Sequence, residues 1–218
     1  MNKNTFNRDL SNEEVLGEFL NRYFYPLLGI NNFLRYGNKS KEQFEGVDVY
    51  FETENQRYLV DEKGYLTRPT IQNTFVLELS YLNASGERKE GWFYDTNKKT
   101  THYLMCWADR DDINIYKDQL TIDHIHRVEL MLVDRKKLQD YLQSKYSINR
   151  NYISNNHNAI LMATESKPVY LENSKSKYNY SKKLREQPLN IVMPKEEYVE
   201  SSAVVVRYMV YKNGIERL

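Results

Sequence analysis

Apolar residues at Val15, Leu16, Phe19, Leu20 and Tyr23 follow the spacing of one helix face. Ser11-Asn12-Glu13-Glu14 precedes them with the pattern of a capping box, which predicts a helix over about 12–25. Pro26 is its expected stop. After a polar stretch from Gly37 to Gln43 the period changes. Strands are predicted at 46–52, 57–66, 74–82, 90–95, 101–108 and 127–133. Asp134 is placed to cap a helix over 135–146, with Leu138, Tyr141 and Leu142 on one face. The Asn-rich segment 147–158 reads as a loop. Short apolar runs follow at 159–163, 189–193 and 203–211, separated by basic residues, Pro188 and Pro194. The pattern predicts an α/β fold, a mixed central sheet flanked by helices. A core over 1–146 would carry a C-terminal extension, 147–218, packed on it within a single domain.

The first two strands form the most informative unit. If Glu54 and Asn55 are the turn of a two-residue hairpin, opposed positions sum to 109. Glu52 then faces Arg57, Tyr50 faces Leu59, and Asp48 faces Asp61. Alternation puts Lys63 on the face of both aspartates and gathers Val47, Val49, Phe51, Tyr58 and Val60 on the other, as a core surface. Directly opposed carboxylates, with Cβ atoms about 4.5–5.5 Å apart, repel. Either Lys63 or a bound cation must offset that repulsion. Hard oxygen ligands of this kind suit magnesium. An ion held there would acidify a bound water and stabilise charge on a phosphoryl oxygen. Four acid-x-Lys tripeptides occur (Asp61/Lys63, Glu87/Lys89, Asp134/Lys136, Glu165/Lys167), but only the first lies in an apolar strand opposite another acid.

Helix, then Gly46-Val47-Asp48, then Asp61-Glu62-Lys63, resembles the PD-(D/E)XK nuclease superfamily, the restriction-endonuclease-like fold. The run GWFYDTNKKTTHYLMCWA resembles the strands in which such proteins continue their sheet, so the likeness spans about 11–145. Val47 stands where that motif has proline. The resemblance implies hydrolysis of DNA phosphodiester bonds with magnesium or manganese. Asp48 and Asp61 would be metal ligands, Lys63 the catalytic lysine, and Glu18 the additional helix carboxylate. Glu78, on the third strand, is a rival or additional metal ligand. RNA as substrate stays open, and a double-strand cut would call for a second site, hence a homodimer. The alternative is a non-catalytic nucleic-acid or protein-binding module on the same scaffold.

Composition narrows the field further. The 218 residues include 31 Lys+Arg and 30 Asp+Glu, a formal net charge of +1, which excludes a protein coated in positive charge. Cys106 is the single cysteine, so no internal disulfide or cysteine-based zinc site is possible, and its apolar strand predicts an inert, buried thiol. No apolar run is long enough to span a membrane, and the polar start lacks a signal-peptide pattern, so a cytoplasmic location is expected. The charge is uneven: residues 110–218 carry 18 Lys+Arg against 14 Asp+Glu, and residues 1–109 carry 13 against 16. Lys175, Lys177, Lys182, Lys183 and Arg185 interleave with Tyr178 and Tyr180, with Tyr170 nearby, a composition suited to a phosphate backbone and exposed bases. Lys98 and Lys99 form a second basic loop. Asp123-His124-Ile125-His126 resembles the Asp-His pair of HNH nucleases but lacks the downstream Asn and His.

Overall fold

The computed structural model describes residues 3–37, 40–115 and 117–218, with side chains from residue 12 onward. In chain order the elements are α1 (Lys3–Tyr23), β1 (Asn31–Arg35), α2 (Lys41–Phe44), β2 (Val49–Glu52), β3 (Arg57–Tyr65), β4 (Thr74–Leu82) and β5 (Arg88–Glu90). There follow β6 (His102–Arg110), β7 (Ile125–Asp134), α3 (Arg135–Tyr146), α4 (Arg150–Thr164), β8 (Val169–Tyr170) and β9 (Lys177–Tyr180). The chain closes with β10 (Leu189–Pro194), α5 (Lys195–Glu200), β11 (Val204–Tyr211) and β12 (Gly214–Arg217). The fold is mixed α/β. Among the described residues no helix is long and apolar enough to cross a membrane.

The chain divides into two compact units: 1–72, 100–133 and 205–218 form the first, 73–99 and 134–204 the second. This grouping crosses the expected boundary at residue 146. Each unit has its own sheet where a single central sheet was expected. Among the described residues the first holds seven strands in the order β1-β2-β3-β6-β7-β11-β12, and the second holds five, β5-β4-β10-β9-β8. In the first sheet β1, β2 and β3 pair antiparallel, whereas β3 and β6 run parallel. Charge follows the units. The first has 15 Lys+Arg against 18 Asp+Glu, net −3, and the second 16 against 12, net +4.

In the first unit, α1 buries Leu16, Phe19 and Leu20 in a core with Val49, Phe51, Val60 and Leu104. Each large apolar side chain so buried contributes on the order of 1.5–3 kcal/mol. The helix already runs at Ser11, which is therefore not its cap. A capping-box pattern marks a start only where the preceding chain leaves the helix, and residues 3–10 contain no Pro or Gly to force that. The predicted stop before Pro26 holds, since Pro26 sits inside a single 3-10 turn, Tyr25–Leu27.

In the second unit, α3 begins where Asp134 caps it, accepting the Lys137 backbone N–H at 3.0 Å. The Asn-rich segment is not a loop but most of α4. Asn149 caps it through the Tyr152 N–H, and Ile153, Ile160 and Thr164 form its buried stripe. The strand expected at 90–95 ends at Glu90, because Gly91 starts a turn closed by Tyr94 and Asp95 N–H groups on its carbonyl. Glu197 on α5 is buried and accepts from Ser174 (2.7 Å), Ser176 (2.6 Å), Tyr141 (3.2 Å) and Tyr146, with Lys145 at 3.4 Å. That donor shell holds its carboxyl below its ordinary range despite burial.

A Cβ added at Gly64 on β3 would meet Leu16 Cδ2 of α1 at 2.6 Å, and Leu16 is itself buried. Gly64→Ala should therefore destabilise the protein by about 1–3 kcal/mol. The urea midpoint measures this, and adding Leu16→Val should recover part of the loss. An unchanged midpoint would mean that α1 does not pack this closely on β3.

Candidate functional site

The hairpin register is the one read from the sequence: Glu52 opposes Arg57, Phe51 opposes Tyr58, Tyr50 opposes Leu59 and Val49 opposes Val60. Asp48 continues the ladder by one residue, its N–H donating to the Val60 carbonyl at 2.9 Å. The opposite face is core as expected: Val47, Val49, Phe51, Tyr58 and Val60 are all buried. The strand starts later than predicted, at Val49, because a turn of helix intervenes. Ser40 caps α2 by accepting the Gln43 N–H at 3.1 Å. At the other end Gly46 takes a positive φ of 78°. The Gly46 N–H bonds the Gln43 carbonyl and the Val47 N–H the Glu42 carbonyl, the paired bonds of a Schellman cap. This cap sends Val47 into the core and Asp48 to the opposite face.

β3 is an interior strand between β2 and β6, so Asp61 is buried at 5% exposure. A carboxylate so placed requires a partner. Lys63, two residues along on the same face, supplies it with Nζ 2.8 Å from Oδ1. Asp48 Oδ2 accepts the Glu62 backbone N–H at 2.8 Å, and its carboxyl also hydrogen-bonds that of Asp61. Burial, then the neighbouring Asp61 charge, push the Asp48 carboxyl up to about 7, while Lys63 and the Glu62 N–H pull against that rise. Burial works against the Lys63 charge, but Asp61, Asp48 and Glu13 overcome it and hold the ammonium above its ordinary value.

Asp48 also lines an open cleft of about 510 Å³ with Glu13, Glu14, Glu18, Arg35 and Glu62. Glu18 thus shares the cleft with Asp48, on the exposed side of α1, while Phe19 beside it is buried. Glu62 escaped the sequence reading. It follows Tyr58 and Val60 on the core-facing row, yet is a carboxylate. Its Oε1 accepts from Tyr25 Oη at 2.6 Å and Arg35 Nη2 at 2.8 Å, and its Oε2 from Arg35 Nη1 at 2.7 Å. An acid on an otherwise apolar row is the signal that could have revealed it.

The remaining expected residues lie elsewhere. Glu78 is on β4, in the sheet of the second unit, opposite Asn190. β4 pairs with β10 and β5 and so joins a different sheet from β3. Lys98, Lys99, Lys175, Lys177, Lys182, Lys183 and Arg185 also belong to the second unit. Of the interleaved tyrosines, Tyr178 is buried and so is not a stacking platform; Tyr170 is exposed, with Lys177 Nζ 5.4 Å from its ring centre. Lys182 pairs with Glu165. His126 pairs with Asp111 at 2.9 Å, and His124 Nδ1 accepts the Thr121 N–H at 3.1 Å, so the two histidines have separate structural partners. Cys106 is buried and its thiol is pushed up by burial, as its strand context led us to expect.

No protein-family model, curated protein or solved structure matches this chain. Function then has to come from the chemistry of the hairpin. Among the described residues no group of three or more His, Cys, Asp or Glu side chains is arranged to hold a metal ion. The donor set at Asp48 and Asp61 is smaller, two hard carboxylates against one ammonium. Two carboxylates are as many as magnesium commonly takes from protein, since it keeps several waters.

The raised Asp48 carboxyl has a consequence for stability. The folded chain binds this proton more tightly than the unfolded chain, so the contribution is present below about pH 4 and is lost as pH rises through about 7. In chelator-containing buffer the wild-type unfolding free energy should fall between about pH 4 and 7 relative to Asp48→Asn, by up to about 1.4 kcal/mol per pH unit. Parallel profiles of urea midpoint against pH would refute this.

Proposed function

We propose that this chain is a magnesium-dependent endonuclease that hydrolyses DNA phosphodiester bonds, in the manner of the PD-(D/E)XK nucleases. The observation that carries the reading is the meeting of Asp48, Asp61 and Lys63 at one corner of the hairpin, with the Lys63 ammonium 2.8 Å from Asp61. In this reading Asp48 and Asp61 hold the ion, with manganese as a substitute. When bound, magnesium supplies an acidified water and neutralises charge on the phosphoryl group. Lys63 remains protonated at working pH, so it acts as a cation and hydrogen-bond donor, not as a base. Its place beside Asp61 suits it to orient the attacking water or to hold the developing negative charge. Glu18 borders the same cleft and would add a carboxylate through water. The basic second unit, net +4, would supply phosphate contacts through Lys175, Lys183 and Arg185, which are exposed there.

A non-catalytic binding module on the same scaffold is the second reading. The cleft's own charge favours it, since Glu13, Glu14, Glu18 and Glu62 line it with Arg35 as the one cation among its described lining residues. Phosphates are repelled from such a cleft unless cations enter first.

Asp61→Ala and Lys63→Ala should each lower magnesium-dependent cleavage of DNA by at least about 100-fold. The assay belongs at low ionic strength, where phosphate contacts are strongest. Wild-type cleavage in both variants would remove the site.

A further inference from the structure

Glu62 has two distinct duties. Its side chain occupies a core-facing position, while its backbone N–H holds Asp48 Oδ2 at 2.8 Å. Only 8% of that side chain is exposed, at the cleft wall, and a carboxylate so far withdrawn from water is tolerated only when its lone pairs are used. Here the planar fork of Arg35 meets both oxygens, at 2.7 and 2.8 Å, and Tyr25 adds a third donor. Arg35 is itself fixed from α1, because its Nε donates to Asn21 Oδ1 at 2.7 Å. Gly17 leaves the guanidinium room, since a Cβ there would lie 3.1 Å from Arg35 Nη1.

Arg35 also acts through its neighbour in sequence. It opposes Val49 in the β1–β2 pair, and the next N–H, that of Tyr36, donates to the Asp48 carbonyl at 2.9 Å. Asp48 is therefore held by two amides. One belongs to the residue after Arg35 and the other to Glu62, and the Arg35–Glu62 fork ties those two strands together. We infer that Arg35 is a positioning residue for the metal site, setting the Asp48 carboxylate by locking Glu62 on β3 against β1. This role rests on the metal-site reading above. Lysine cannot replace it, because one ammonium does not reproduce two parallel N–H bonds to a carboxylate.

The test uses the full chain and manganese as the probe. Calorimetric titration should show Arg35→Lys binding Mn²⁺ at least about tenfold more weakly than wild type, the scale typical of groups that orient metal ligands. In metal-free protein, hydrogen exchange at the Glu62 and Tyr36 amides should accelerate in Arg35→Lys, while the Leu130 amide on β7, a strand that does not pair with β3, stays unchanged. A purely structural role would instead alter all three amides together. Tyr25→Phe keeps the buried ring and removes only the hydroxyl that donates to Glu62, and should move the same readouts in the same direction by less. Wild-type Mn²⁺ affinity in both variants would overturn the positioning role and leave the metal site standing. Absence of Mn²⁺ binding in the wild type would overturn the metal site and this role with it.

Discussion

Two carboxylates that face each other across adjacent strands repel, and in this protein they are held together by what lies behind them. The reverse face of the hairpin is packed with Val49, Phe51, Tyr58 and Val60. Sliding the register by one residue would turn that apolar row out and the acids in. The register is therefore fixed by the core, and the aspartates are forced into proximity whatever their mutual repulsion. Lys63 relieves part of it at Asp61, and the Glu62 N–H relieves part of it at Asp48. What remains is excess negative charge in a partly dry corner, which a proton or a divalent cation can offset.

This constraint also explains why the surroundings are so heavily tied. A site that stores repulsion needs stiff walls. Here they are the Schellman cap at Gly46, the interior position of β3 and the Arg35–Glu62 fork. Each fixes backbone around Asp48 or Asp61, and the fork also forms part of the cleft wall. The second unit is organised differently, around apolar helix faces and the buried Glu197, and it carries the net positive charge.

Much of the hairpin was legible because its signals are local and agree. Alternation, a short turn and an opposed acid pair all give the same register, and Asp134 with Leu138 and Leu142 fixed α3 to the residue. The failures came where signals conflict or where partners are distant in sequence. Five Asn residues within 149–158 argue against a helix by propensity, yet Ile153, Ile160 and Thr164 make α4 by burial. The division into two sheets depends on β4 pairing with β10, more than a hundred residues on, which no local pattern encodes. It is also why Glu78 stands on a different sheet from the aspartates. At the site, the acid-x-Lys spacing drew attention to Asp61 and Lys63 and away from Glu62 between them, although alternation alone puts Glu62 on the core row.

The role proposed for the hairpin corner is to hold a divalent cation. A crystal structure of the protein soaked in manganese tests it most directly. An anomalous peak is expected at this corner, with carboxylate oxygens of both Asp48 and Asp61 within about 2.0–2.6 Å of it. A well-ordered corner in which Lys63 alone bridges the two aspartates, with no ion beside them at millimolar manganese, would contradict it.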